Sequence, residues 1–223
     1  SDSGMSWRQL NLPTDLSWTA VASNQLGKRM IVASVEGSVF LSGDGGDSWQ
    51  EAASVAPQRN SWTSAVSDRS GQYLALTSSN DGIYVSFDFG ANWVKTDTPS
   101  PPRKWRDVTT DFSGQFLAAI AEDDSEAIYH SEDYGLTWRA VAVGGTGLGQ
   151  GAWRSVASDH SGAFLSALTS DGVLYTSSNY GNEWRAVTSL PLTQRLSDTS
   201  FDEAQGVHLL ALSDDNSGAF SSR

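Results

Sequence analysis

At 223 residues the chain is long enough for one large domain with a proper core, and it does not require a second. A formal net charge of -12 and a pI near 4.4 argue against nucleic acid or anionic lipid as broad electrostatic partners, and no apolar run reaches the length of a membrane span. With no cysteine, disulfides and thiolate chemistry are excluded and the compartment stays open; the first residues, SDSGMSW, lack the basic start and apolar stretch of a signal peptide, so a soluble protein, secreted or not, or a mature fragment of one is expected.

In chain order, Asp2, Gly4 and Trp7 come first, followed by a short strand, WRQLNL. An alternating run then opens on Trp18 (WTAVASN), and two further runs lead to the stretch SGDGGDSW, which carries Asp44, Gly46 and Trp49 at the spacing of Asp2, Gly4 and Trp7. The same succession returns from Trp62 to SFDFGANW (Asp88, Gly90, Trp93) and from Trp105 to SEDYGLTW (Asp133, Gly135, Trp138). It returns again from Trp153 to SSNYGNEW (Asn179, Gly181, Trp184), and from Leu196 the earlier strands recur without a closing box. Gly46, Gly90, Gly135 and Gly181 are 44, 45 and 46 residues apart, a period of about 45.

Three strands before each box and one after it make a four-stranded antiparallel unit, and units repeated radially make a β-propeller. The expected fold is all-β: one domain over residues 1–223, a five-bladed propeller of four-stranded antiparallel blades, with boxes near 2–7, 42–49, 86–93, 131–138 and 177–184. The N-terminal strand is expected to complete the C-terminal blade and close the ring, removing two open sheet edges. Each box belongs on the hairpin between third and fourth strands. There its glycine takes a positive φ, its aspartate accepts backbone N–H groups, and its tryptophan covers the neighbouring sheet. Asn179 keeps the acceptor oxygen without the charge.

These SxDxGxxW stretches resemble the Asp box, or bacterial neuraminidase repeat, of sialidases, several propeller lectins, sortilin-type receptors and the photosystem II stability and assembly factor family. The resemblance covers all five units. It implies a propeller in which the box is a folding element lying away from the ligand site. It also implies that a sialidase would carry an arginine triad, a tyrosine nucleophile paired with glutamate, and an acid/base aspartate, usually on six blades. Here Tyr73, Tyr84, Tyr129, Tyr134, Tyr175 and Tyr180 occupy repeat positions, as framework residues do.

The candidate ligand-binding face is the one opposite the boxes, where the lead-in loops vary in length and composition. Trp18, Trp62, Trp105 and Trp153 begin the innermost strands, either as rings for stacking a sugar or as wedges between blades. Arg59, Arg103, Lys104, Arg106, Arg154 and Arg195 concentrate basic charge there, as an anion site or as solvated surface balancing the acids of EDDSE. Asp107 and Asp198 fall two residues past the start of their strands. They are an acid and base pair for a glycoside hydrolase-like enzyme, or drift in a repeat that has Ala20, Ser64 and Ser155 at that place.

His130, His160 and His208 sit at different repeat positions, so no metal site is expected, nor any cofactor. The glycine-rich GGTGLGQG (144–151) leads into a strand and lacks a following lysine, which makes it a rim loop and not a phosphate cradle. The expectation is a monomeric non-catalytic binding module or assembly scaffold recognising a glycan, an acidic ligand or a protein partner.

Overall fold

A computed structural model of the chain describes residues 6–52, 55, 60–99, 101–143 and 151–188, and the backbone of strands at 196–201, 209–213 and 219–221. Sheet one is β1 (Trp18–Ser23), β2 (Met30–Ser34), β3 (Val39–Ser42) and β4 (Gln50–Glu51). Sheet two is β5 (Trp62–Ser67), β6 (Leu74–Ser78), β7 (Ile83–Ser86) and β8 (Val94–Lys95). Sheet three is β9 (Trp105–Thr110), β10 (Leu117–Ala121), β11 (Ala127–Ser131) and β12 (Arg139–Ala142). Sheet four is β13 (Trp153–Ser158), β14 (Leu165–Thr169), β15 (Leu174–Ser177) and β16 (Arg185–Ala186). Three more strands, β17 (Leu196–Phe201), β18 (Leu209–Ser213) and β19 (Ala219–Ser221), form a fifth sheet. All pair antiparallel with their chain neighbours.

Successive first strands lie beside one another, β1 on β5, β5 on β9, β9 on β13 and β13 on β17, so the sheets stand like blades around a common axis. Second strands depart from simple alternation. In β6, β10 and β14 every residue is buried, because each is covered by a neighbouring sheet on both faces. What alternates is size: Leu74 and Leu76 on one face, Ala75 and Thr77 on the other.

Among the described residues the core lies between sheets, in three clusters. Trp62 packs with Ile31, Val39 and Tyr84 between sheets one and two; Trp105 with Val85, Tyr129 and Trp138 between two and three; Trp153 with Ile120, Tyr175 and Trp184 between three and four. Each of these rings meets a tyrosine edge-on, at 5.4, 4.7 and 5.4 Å between centroids. At about 200 Å² per buried tryptophan, each contributes on the order of 5 kcal/mol of apolar burial.

The hairpins after the first strands are tied by a second aspartate turn. Asp68 accepts from the Ser70 and Tyr73 N–H groups at 2.9 Å each; Asp111 repeats the arrangement, and Asp159 accepts from the Ser161 hydroxyl and the Phe164 N–H. Beside them backbone N–H groups step from sheet to sheet: Gln25 to Arg69, Arg69 to Phe112 and Phe112 to His160, with N···O distances of 3.2, 3.1 and 2.9 Å.

The N-terminal segment differs from the expected strand. Residues 7–12 are not in a strand, and Trp7 is 91 % exposed, while Asp2 and Gly4 lie outside the described residues. Arg8 nevertheless pairs with Asp47 as Arg139 pairs with Asn182, the same repeat positions one sheet apart. Val21, in β1, is 71 % exposed, whereas its counterparts Ala65, Val108 and Val156 are 8, 3 and 5 % exposed under the preceding sheet.

Candidate functional site

Every first strand is irregular at one place. The pairing register slips between Trp18 and Ala20, Trp62 and Ser64, Trp105 and Asp107, Trp153 and Ser155, and Leu196 and Asp198. The extra residue at each bulge is therefore Thr19, Thr63, Arg106, Arg154 or Ser197. A bulge re-aims its residue out of the ladder. The four whose side chains are described line one cavity of about 510 Å³ at the axial end opposite the boxes, together with Ser61, Trp62, Ser79 and Asp107.

The bulged residues divide by sheet. Thr19 Oγ1 donates to the Trp62 carbonyl at 2.8 Å and Thr63 Oγ1 to the Trp105 carbonyl at 3.1 Å, each clasping its sheet to the next. In sheets three and four the same position carries guanidinium groups, Arg106 exposed and Arg154 half-buried. Two cations thus face one water-accessible hollow in an acidic protein, a geometry suited to a carboxylate or another planar anion.

Asp107 lies in the cavity wall but its carboxylate is engaged. Oδ1 accepts from Ser64 Oγ at 2.7 Å and from the Val108 N–H at 2.9 Å, and Oδ2 accepts from the Val156 N–H at 3.0 Å. It ties sheets two, three and four at the axis. Asp198 occupies the equivalent backbone position, opposite Leu212, and its side chain lies outside the described residues.

Trp62, Trp105 and Trp153 are only 1–2 % exposed, so they wedge between sheets and offer no free face for a sugar; Trp18 is half-buried, edge-on to Phe40 at 5.7 Å. Arg103 does not join Arg106 and Arg154. It binds Asp124 at 3.1 Å, whose carboxylate also accepts from the Tyr129 hydroxyl at 2.7 Å. The cluster that sequence position suggested is thereby divided, because Arg103 precedes β9 and reaches Asp124, whereas Arg106 is the bulged residue within that strand. Arg59, Arg195 and the loop at 144–150 fall outside the described residues.

Two of the tyrosines, Tyr84 and Tyr129, are held as phenols. Burial and the hydrogen bond to Asp81 push Tyr84 up to about 12, and burial with Asp124 does the same for Tyr129, the opposite of what a nucleophile needs. Burial, with Arg139 alongside, pushes His130 down to about 4, and His160 stacks on Phe112 at 4.6 Å. Among the described residues no three His, Cys, Asp or Glu side chains are grouped to hold a metal.

At the other end of the axis the box loops repeat. Gly46, Gly90, Gly135 and Gly181 have φ of 83, 85, 80 and 75°. The residue before each of them, Gly45, Phe89, Tyr134 or Tyr180, is left-handed as well, at 81, 63, 61 and 59°. Two left-handed residues in succession make a tight turn inside the loop, closed in sheet two by the Ala91 N–H on the Asp88 carbonyl at 3.2 Å. Asp88 accepts from the Asn92 amide group at 2.7 Å, the Asn92 N–H at 2.8 Å and Ser86 Oγ at 3.0 Å, and these bonds hold its carboxyl below the ordinary range. The Ser48 hydroxyl leads the same effect on Asp44; at Asp133 burial pulls upward and the bonds from Thr137 outweigh it. Asn179 keeps the acceptor, taking the Glu183 N–H at 2.9 Å. Trp93 and Trp138 donate to the carbonyls of Gly90 and Gly135 at 2.9 Å, and Trp49 is half-buried beside its own loop.

No protein-family model matches the chain, and neither does any curated protein sequence. Solved structures do match its fold. YCF48 from Cyanidioschyzon merolae aligns with a TM-score of 0.69 at 21 % identity, over 92 % of this chain and 66 % of that one. YCF48 bound to D1 peptide aligns with a TM-score of 0.69 at 18 % identity, over 95 and 67 %. The GH74 xyloglucanase from Xanthomonas campestris gives 0.69 at 18 %, over 91 and 36 %. The chain thus spans about two thirds of the YCF48 structures and about a third of the xyloglucanase. The shared property at these identities is the propeller-like all-β fold.

Proposed function

We propose that the chain is a non-catalytic binding scaffold whose bulged strand ends receive an acidic partner, with Arg106 and Arg154 holding its carboxylates. The observation that carries this is the exchange at one repeat position: threonine serves the framework in sheets one and two, and arginine replaces it in three and four, facing the same cavity. A structure of the same fold is described as bound to D1 peptide, which supports a peptide as the class of partner. Anisotropy of a fluorescent Glu/Asp-rich decapeptide tests it. The double variant Arg106→Gln, Arg154→Gln should weaken binding roughly tenfold or more at unchanged Tm, and wild-type binding should fall as salt rises from about 50 to 300 mM. Equal affinity of wild type and double variant would overturn the reading.

The second reading is a glycoside hydrolase-like enzyme built on Asp107 and Asp198, favoured by the presence of Asp107 in the cavity wall and by the GH74 likeness. Turnover of a glycoside that either Asp→Asn change abolishes would establish it. Glycan recognition without turnover would rest on the rim polar groups and the partly open Trp18, since the other three rings are covered.

We also infer that the box loops are Asp boxes, that residues 1–223 form one monomeric domain of five blades, and that the ring closes when residues 7–12 complete the β17–β19 sheet. The Arg8 to Asp47 pair, which reproduces the Arg139 to Asn182 contact, supports this placing of the segment after Trp7. Closure brings a sheet over Val21.

A further inference from the structure

Between sheets one and two lies a groove of about 530 Å³ whose walls include Ala22, Ile31, Leu41 and Leu74. The Arg29 guanidinium borders it, stacked 3.5 Å from the centroid of Phe89. Among the described residues that guanidinium makes no ion pair and no hydrogen bond. The next two seams are built differently. At the place of Arg29 they carry Tyr73 and Phe116, whose rings pack on Tyr134 and Tyr180, the counterparts of Phe89, at 4.5 and 4.8 Å. An aromatic ring that fills those seams is replaced by a cation beside a hollow.

We propose that this groove binds a free carboxylic acid with an apolar body, a medium-chain aliphatic or arylalkyl acid, the body between sheets one and two and the carboxylate on Arg29. Stacking on Phe89 leaves the edge of the guanidinium, where its N–H donors point, open to a bidentate acceptor. The size and lining, mostly apolar with a single orienting cation, are those of a small-ligand site. Asp88 also borders the groove; its oxygens are bonded to Ser86 and Asn92 and it makes no ion pair with Arg29. Glu51 and Asp88 are the two acids of the rim that oppose an anion; exposed Glu51 lies outside the box loop, so its removal strengthens binding and leaves that loop intact.

Titration calorimetry of the full chain with sodium octanoate tests this. The expected result is saturable one-to-one binding, weakened roughly tenfold in Arg29→Gln and strengthened in Glu51→Gln, with octanol binding more weakly than octanoate. Gly43→Phe should abolish it. Gly43 borders the groove, its backbone is not left-handed, and a Cβ there meets no atom within 4 Å, so this variant fills the hollow without straining the fold. Absence of saturable binding, or equal binding by Gly43→Phe with its Tm retained, would overturn the proposal. So would a leucine-terminated peptide that displaces octanoate at lower concentration than octanoate itself binds, since the occupant would then be a chain terminus.

Discussion

The two ends of the axis obey opposite rules. At the box end, serine, aspartate or asparagine, glycine and tryptophan recur, and their hydrogen bonds close within five residues: Ser86 to Gly90, Asp88 to Asn92, Trp93 to Gly90. At the bulged end the backbone irregularity recurs but the side chain on it does not: Thr19, Thr63, Arg106, Arg154. A loop whose donors and acceptors are consumed internally has little left with which to bind anything. A position whose geometry is fixed by the backbone is free to change its chemistry. The difference separates framework from candidate site without recourse to function.

Substitutions sharpen this contrast, beginning with the largest effect. Trp105→Ala should cost about 3 to 5 kcal/mol in urea unfolding, because the ring is fully enclosed between sheets two and three, while affinity per folded molecule stays the same. Loss of affinity at unchanged stability would return the ring to the binding surface.

Gly90→Val should cost roughly 2 to 4 kcal/mol. At φ 85° a Cβ is strained, and it would stand 2.5 Å from Leu41 Cδ1 on the neighbouring sheet. Gly43→Ala, one residue after Ser42 and in open space, is the control and should be within about 0.5 kcal/mol of wild type. Equal effects would mean that box glycines are not conformational necessities.

Val21→Asp is the finest discriminator. If the ring closes over β1, the new carboxylate is buried against a sheet and unfolding shifts by roughly 2 kcal/mol; if the face is open to water, the change stays within about 0.5 kcal/mol. The second outcome would remove closure by residues 7–12 while leaving the two proposed sites untouched.

Local physics made much of this legible from the residues alone. The strands that open on Trp18, Trp62, Trp105, Trp153 and Leu196, the hairpin place of the four described boxes and the positive φ of Gly90 follow from patterns spanning eight residues or fewer, and the period near 45 from their recurrence. The bonds that enforce them are equally short in sequence. Asn179 standing in for aspartate was readable for the same reason, since the loop needs an acceptor oxygen and not a charge.

What only the tertiary structure decided is whatever depends on residues a whole unit or more away. Thr19 reaches a carbonyl 43 residues on, and Asp107 an N–H 49 residues on, so neither tie is visible within a unit. The sequence grouped Arg103 with Arg106; packing sent the first to Asp124 and the second into the cavity. It placed a tryptophan at the head of four strands, and only the adjacent sheet determined that three of them are enclosed. Short-range hydrogen bonding sets the fold of each unit, whereas burial and the direction of a bulged side chain are properties of the seam between units, which no single unit contains.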